Sequence, residues 1–184
     1  TDPELNFALS ILSQALVGHE SAPLRLAIQE AGIGQDVYAY SDNSKQIVFA
    51  IGVENANAED KDKFEEIIFS TIEKVIEDGF DEKMLEGIVN RMEFRLREGN
   101  TPNKGMMYMY RTIPYVFFAD NPYLGLEFEE PLANVKENLE NGLLEDILQE
   151  NFIDNQFALK FDDKTEYVEL ECIDIKSKEK NIFK

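Results

Sequence analysis

From Asp2 to Gly18 the chain spells a helix that cannot stand with water on most of its sides. Leu5, Leu9, Leu12 and Leu16 recur at helical spacing, and Phe7, Ala8, Ile11 and Ala15 lie beside them. Such a helix is buried over most of its circumference and needs other elements packed round it. Asp2 is placed to cap it, Pro3 occupies the first helical position where no amide hydrogen is required, and Gly18 ends it. The chain has 184 residues with 43% hydrophobic content, enough for one core, so a single domain over residues 1–184 is expected.

The rest of the pattern supplies the cover. Ser21 followed by Pro23 starts a second helix through Leu24, Leu26, Ala27 and Ile28, which stops at the Gly32 and Gly34 pair. Val37 to Tyr40 and Gln46 to Val53 are β-branched and aromatic, with Asp42-Asn43-Ser44 between them as turn chemistry, which predicts a hairpin. Phe64, Ile67, Ile68, Thr71, Ile72, Val75 and Ile76 then mark the clearest amphipathic helix, ended by Gly79. Asp81 caps a helix carrying Met84, Leu85, Ile88, Met92 and Leu96, which breaks at Gly99-Asn100-Thr101-Pro102.

A further helix is expected from about Lys104 to Phe118, then a loop at Asp120-Asn121-Pro122. Another runs to Leu139, begun or interrupted by Pro131, and a short one holds Leu143, Leu144, Ile147 and Leu148. Strands at Phe157 to Phe161 and Tyr167 to Ile175 close the reading, with 163–184 peripheral. Helices, hairpin, helices and strands in that order give an α+β class, an antiparallel sheet packed on helices.

Eighteen basic against 37 acidic side chains leave a formal net charge of −19, which opposes binding to nucleic-acid phosphates and to anionic membranes; it favours basic peptides or, as the more ordinary reading, serves only as a solubilising surface, so charge alone chooses no partner. No stretch approaches the roughly 18 consecutive apolar residues of a membrane span, and Thr1-Asp2-Pro3-Glu4 has no signal-peptide character. Cys172 is the only cysteine and His19 the only histidine, so this chain cannot supply the two or three histidines or paired cysteines of a typical zinc site. His-x-x-Glu-His is absent, and His19, beside a helix-ending glycine, reads as a surface or capping residue.

The acidic pairs Glu59-Asp60, Glu65-Glu66 and Glu129-Glu130 read as solvated helix faces. Met106-Met107-Tyr108-Met109-Tyr110 could form an adaptable peptide-contacting surface, but its helical setting favours core. Arg91, Arg95, Arg97 and Arg111 are the main basic cluster, expected to pair with acids of the same chain or else to hold a partner's carboxylate. Gly32-Ile33-Gly34 follows a helix rather than a strand, which rules out a nucleotide fingerprint. No catalytic, cofactor-binding or metal-ligating residue is assigned.

Leu12-Ser13-Gln14-Ala15-Leu16, Ser21-Ala22-Pro23-Leu24-Arg25 and Ile28 to Gly34 resemble the helix-loop-helix of the second, non-catalytic domain of presequence proteases, zinc metallopeptidases of the pitrilysin and insulinase superfamily. Glu77 to Asp81, Glu93 to Glu98 and Phe128 to Leu132 are similar to that domain's later helices in the same order. The resemblance spans roughly residues 5 to 160 and implies a pitrilysin-like repeat domain, a fragment of a much larger multi-domain peptidase. In that family four such domains enclose a chamber, and the first carries the zinc. An arginine and a tyrosine of the last domain contact substrate; the matching places here hold Gln29 and, nearby, Gln35 or Asp36, so those roles are not carried over. The family's domains carry a sheet strand ahead of the first long helix, whereas this segment starts at the helix; either the segment is trimmed or Tyr167 to Ile175 takes that strand's place.

The resemblance implies a chamber-wall domain of a zinc-dependent endopeptidase degrading unfolded peptides, with no cofactor of its own and zinc in the parent's first domain. Its partners would be the parent's other domains and peptide substrates, with no nucleic acid and no membrane. The alternative is an inactive scaffold domain related to processing-peptidase core subunits. The cytoplasm is the favoured compartment, any targeting sequence lying outside this segment.

Overall fold

Helix α1 (Pro3–Val17) forms where the apolar spacing puts it. The Asp2 carboxylate accepts from the backbone N–H of Glu4 at 2.9 Å and of Leu5 at 3.4 Å, and Gly18 closes the far end on the Gln14 carbonyl. The computed structural model describes residues 2–43, 45, 47–98 and 102–154. The strands expected at Phe157 to Phe161 and Tyr167 to Ile175, and the peripheral segment 163–184, lie outside the described residues.

Helix α2 (Pro23–Ala31) is capped by Ala22 rather than Ser21. The residue before a proline is driven to extended backbone, and that is the conformation an N-cap needs, so the cap moves to the position next to Pro23. At its other end Gly32 takes φ 68, Gly32 N–H bonds to the Gln29 carbonyl and Ile33 N–H to the Ile28 carbonyl. These two bonds form a Schellman turn, and Ile28 and Ile33 are both buried beside it.

Strands β1 (Asp36–Asp42) and β2 (Val48–Glu54) pair antiparallel, from Asp36 opposite Glu54 to Asp42 opposite Val48. Asp42, expected in the turn, is the last residue of β1. Val37 is buried and Ala39, Phe49, Ile51 and Val53 pack on the core, whereas Tyr38 and Tyr40 stack on the outer face with ring centres 6.3 Å apart. This is the period-two alternation of a sheet with one covered face.

Helix α3 (Lys61–Asp78) follows a 3-10 turn, and α4 (Glu82–Glu98) opens with Met84 N–H on the Asp81 carboxylate at 2.7 Å. Helix α5 (Lys104–Phe118) holds Pro114 in its interior and is followed by a 3-10 turn, Pro122–Gly125, where the sequence predicts a loop. In α6 (Glu129–Leu139) Pro131 lies in the first turn, where no intrahelical donor is lost, so it begins the helix rather than interrupting it. Helix α7 (Leu143–Leu148) runs into a π-helical turn, Gln149–Ile153.

The core gathers round α1, which touches β1, α2, α4, α6 and α7. Ile11, Leu12 and Leu16 are fully enclosed there, with Leu24, Ile72, Val135, Leu144 and Ile147 from the surrounding helices. An antiparallel hairpin on one side of a central helix and helices on its others make the α+β layer that the sequence predicts.

Candidate functional site

Among the described residues no group of three or more histidine, cysteine, aspartate or glutamate side chains could hold a metal ion, and no helix is long and apolar enough to cross a membrane. His19 neither caps α1 nor lies free on the surface. Gly18 makes the cap; the half-buried imidazole packs its Nε2 2.9 Å from the Met84 Sδ, with Nδ1 3.4 Å from the Ser21 hydroxyl. A shallow cleft beside it is lined by Gln14, Lys83, Gly87 and Arg91 and holds no second histidine or acid. Cys172 lies outside the described residues.

The basic cluster divides in two. Arg97 pairs with Glu93 at 2.8 Å and with Glu129 at 3.7 Å, and Lys136 bonds to the other oxygen of Glu93, so α4 and α6 are tied through one carboxylate. The hydrogen bond from Lys136, and after it the one from Arg97, hold the Glu93 carboxyl below the ordinary carboxylate range. Intramolecular pairing is therefore what Arg97 does. Arg91 and Arg95 are exposed on α4 with no acid partner among the described residues. Arg111 is half-buried on α5, where loss of hydration pulls its pKa below the usual guanidinium value, and no carboxylate among the described residues pairs with it.

Gln29, Gln35 and Asp36 are exposed round the turn from α2 to β1. Asp36 is held by Arg25 at 2.6 Å and Gln35 accepts from Asn55 at 3.0 Å, so these side chains are engaged in fixing the turn. Of the acidic pairs, Glu59, Glu66, Glu129 and Glu130 are exposed, as their solvated reading expects, whereas Asp60 and Glu65 are half-buried.

The largest departure from the sequence reading is α5. Its Met-Tyr run was expected in the core, yet Met106, Met107, Tyr108, Met109 and Tyr110 are all exposed, Tyr110 at 64%. Ile113, Val116, Phe117 and Phe118 continue the exposed apolar surface, and Tyr123 and Leu126 extend it past the helix. Only Tyr115 of α5 is buried, its hydroxyl 3.5 Å from the Asn6 side-chain amide. The helix is held chiefly by the 3-10 turn, where a Cβ on Gly125 would stand 2.1 Å from the Arg111 carbonyl oxygen. That approach admits glycine alone.

Helical spacing led to the core reading because the period registers apolar residues and not what covers them. Lys104 to Phe118 contains no acid in a chain with 37 of them, and five consecutive large side chains leave no polar face there, so the run demands cover without showing where that cover lies. The resulting apolar surface, with one half-buried arginine inside it, is the most distinctive feature of the described residues. It suits contact with another folded surface or a peptide.

A family profile described as the Peptidase M16 inactive domain matches residues 1–92. Protein HypA of Clostridium perfringens is 34% identical over 159 residues, covering 84% of this chain and 16% of that protein. Presequence protease 1, chloroplastic/mitochondrial, of Arabidopsis thaliana is 33% identical over 139 residues, covering 73% and 13%. The mitochondrial presequence protease of Aspergillus fumigatus is 26% identical over 164 residues, covering 88% and 15%. The chain thus spans about one-sixth or less of the length of these curated relatives.

Proposed function

This chain belongs to the M16 peptidase family as an inactive domain of it, and from that premise we propose that it forms a non-catalytic wall of the substrate chamber in a zinc-dependent endopeptidase that degrades unfolded peptides. The observation that carries the reading is the match over residues 1–92 to the family's inactive domain, in a chain whose relatives include presequence proteases about six times its length or more. In this reading the chain is a single domain of a much larger multi-domain peptidase.

The residues present do not fit a catalytic zinc. Such a site takes two or three histidines, or cysteines, converging on one point. This chain has one of each, and its histidine packs on a thioether. The metal and its chemistry belong in this reading to another domain, and the present domain bounds the space in which a peptide is held. The excess of 37 acidic over 18 basic side chains would draw basic peptides toward that space by long-range attraction. The Arabidopsis and Aspergillus relatives are named as organellar, so the cytoplasm favoured from the sequence gains no support from them.

The test is cleavage of an unfolded basic peptide by this chain and by the longer polypeptide that contains it, each with and without a zinc chelator. Chelator-sensitive cleavage by the longer polypeptide and none by the chain is the expected result. Silence from both favours the inactive scaffold related to processing-peptidase core subunits, and cleavage by the chain alone overturns the proposal.

A further inference from the structure

We propose that the α5 surface is the seam along which this domain is held against another domain of the same, longer polypeptide, and that the covering surface is apolar with a carboxylate opposite Arg111. The inference rests on the reading of the chain as one domain of a larger peptidase and adds where the neighbour sits and what it must present.

The shape of the exposed surface selects a folded partner. Successive helical residues are about 100° apart, so the five from Met106 to Tyr110 point all round the helix, and Val116, Phe117 and Phe118 extend the exposed apolar surface along its last turn. An extended peptide would cover one strip and leave the others wet. A helix apolar on all sides is stable when protein surrounds it, and here the 3-10 turn supplies only one side. A second copy of this chain is a poor cover, because each copy carries a formal charge of −19 and their mutual repulsion opposes close approach. A domain in the same polypeptide needs no free encounter, since the linkage raises its local concentration. The relatives are long enough to contain several domains of this size.

Arg111 specifies the polar part of the seam. A guanidinium stays ionised even when partly desolvated, and a desolvated charge without a counter-ion is costly. Helix α5 has Lys104 and Arg111 as its only charges, Lys104 is directed over the Tyr108 ring at 5.6 Å, and no acid among the described residues reaches Arg111. Closing the apolar surface would bury Arg111 further, so the covering domain must bring the carboxylate. The fork of the guanidinium suits a bidentate pair.

The methionines make the test internal to the chain. Met106 and Met109 are 52% and 50% exposed, while Met92 is 8% exposed and serves as a folded-core control. The chain alone and the longer polypeptide are treated with hydrogen peroxide, and sulfoxide at each methionine is followed by mass spectrometry. With Met92 slow in both, Met106 and Met109 should oxidise about tenfold more slowly in the longer polypeptide, a factor equivalent to about 1.4 kcal/mol of docking. Arg111→Gln in the longer polypeptide should return much of the fast oxidation, and Arg111→Lys less of it.

Equal rates in both contexts overturn the seam. So does protection that grows with the concentration of the isolated chain, which would indicate a second copy, or protection that needs added unfolded peptide, which would make α5 a substrate surface. Chelator-sensitive cleavage with unprotected methionines would leave the peptidase reading standing while the seam falls. Protected methionines without cleavage would do the reverse.

Discussion

Helices α1 and α5 are both 15 residues long, both contain a proline and both are apolar round most of their circumference, yet their surroundings are opposite. Seven residues of α1 are buried, against Tyr115 alone in α5. Helix α1 is enclosed by β1, α2, α4, α6 and α7, whereas α5 leans chiefly on the 3-10 turn at Pro122–Gly125. An apolar period therefore measures how much cover a helix needs and says nothing of where the cover comes from. In α1 the chain satisfies its own demand; in α5 the demand is left for something else.

The sharpest way to break this comparison is to damage the covered helix. Leu12 is fully buried at the centre of the core. Leu12→Ala removes three carbons from a site enclosed on every side, and such truncations cost about 2–5 kcal/mol. We expect a large fall in the urea midpoint of the chain with little change in slope. A loss below about 1 kcal/mol would mean that the packing round α1 is loose enough to collapse into the gap, and the contrast with α5 would shrink accordingly.

The same contrast explains what could be read from the sequence. The cap at Asp2, the stop at Gly32 and the start after Asp81 were legible because capping is local chemistry, settled by one side chain and the amides within three residues of it. The hairpin was legible by its β-branched runs, and its ends moved by a residue or two because ladder bonds extend as far as both strands allow. The cap of α2 was misplaced by one residue because Pro23 controls the backbone of its predecessor. The exposure of Met106 to Tyr110 was not legible, since it depends on which distant segments fold over α5.

A smaller effect probes the polar ties of the shell round α1. Glu93 joins α4 to α6, and both helices touch α1. Because Lys136 and Arg97 lower its pKa in the folded chain, its contribution is present above the ordinary carboxylate range and is lost as pH falls through the lowered value. Glu93→Gln should therefore be less stable than the parent chain at pH 7, and the difference should close under acid. Unfolding midpoints of both proteins at pH 7 and pH 3 measure this. A difference independent of pH would assign the effect to packing of the side chain and not to its charge.

The smallest expected effect is on the uncovered helix itself, and it separates the two helices most directly. Val116 and Phe117 are 58% and 73% exposed, so replacing both with glutamine removes little that the folded chain has taken out of water. Exposed substitutions of this kind usually change stability by no more than about 0.5 kcal/mol each. The unfolding midpoint of the chain should barely move, and its solubility should improve as the apolar patch is interrupted. A loss comparable to that of Leu12→Ala would mean that α5 is covered by the chain itself, and the distinction between a self-sufficient helix and one awaiting a neighbour would fail. If the midpoint holds in the chain and falls when the same pair is changed in the longer polypeptide, the missing cover comes from the rest of that polypeptide.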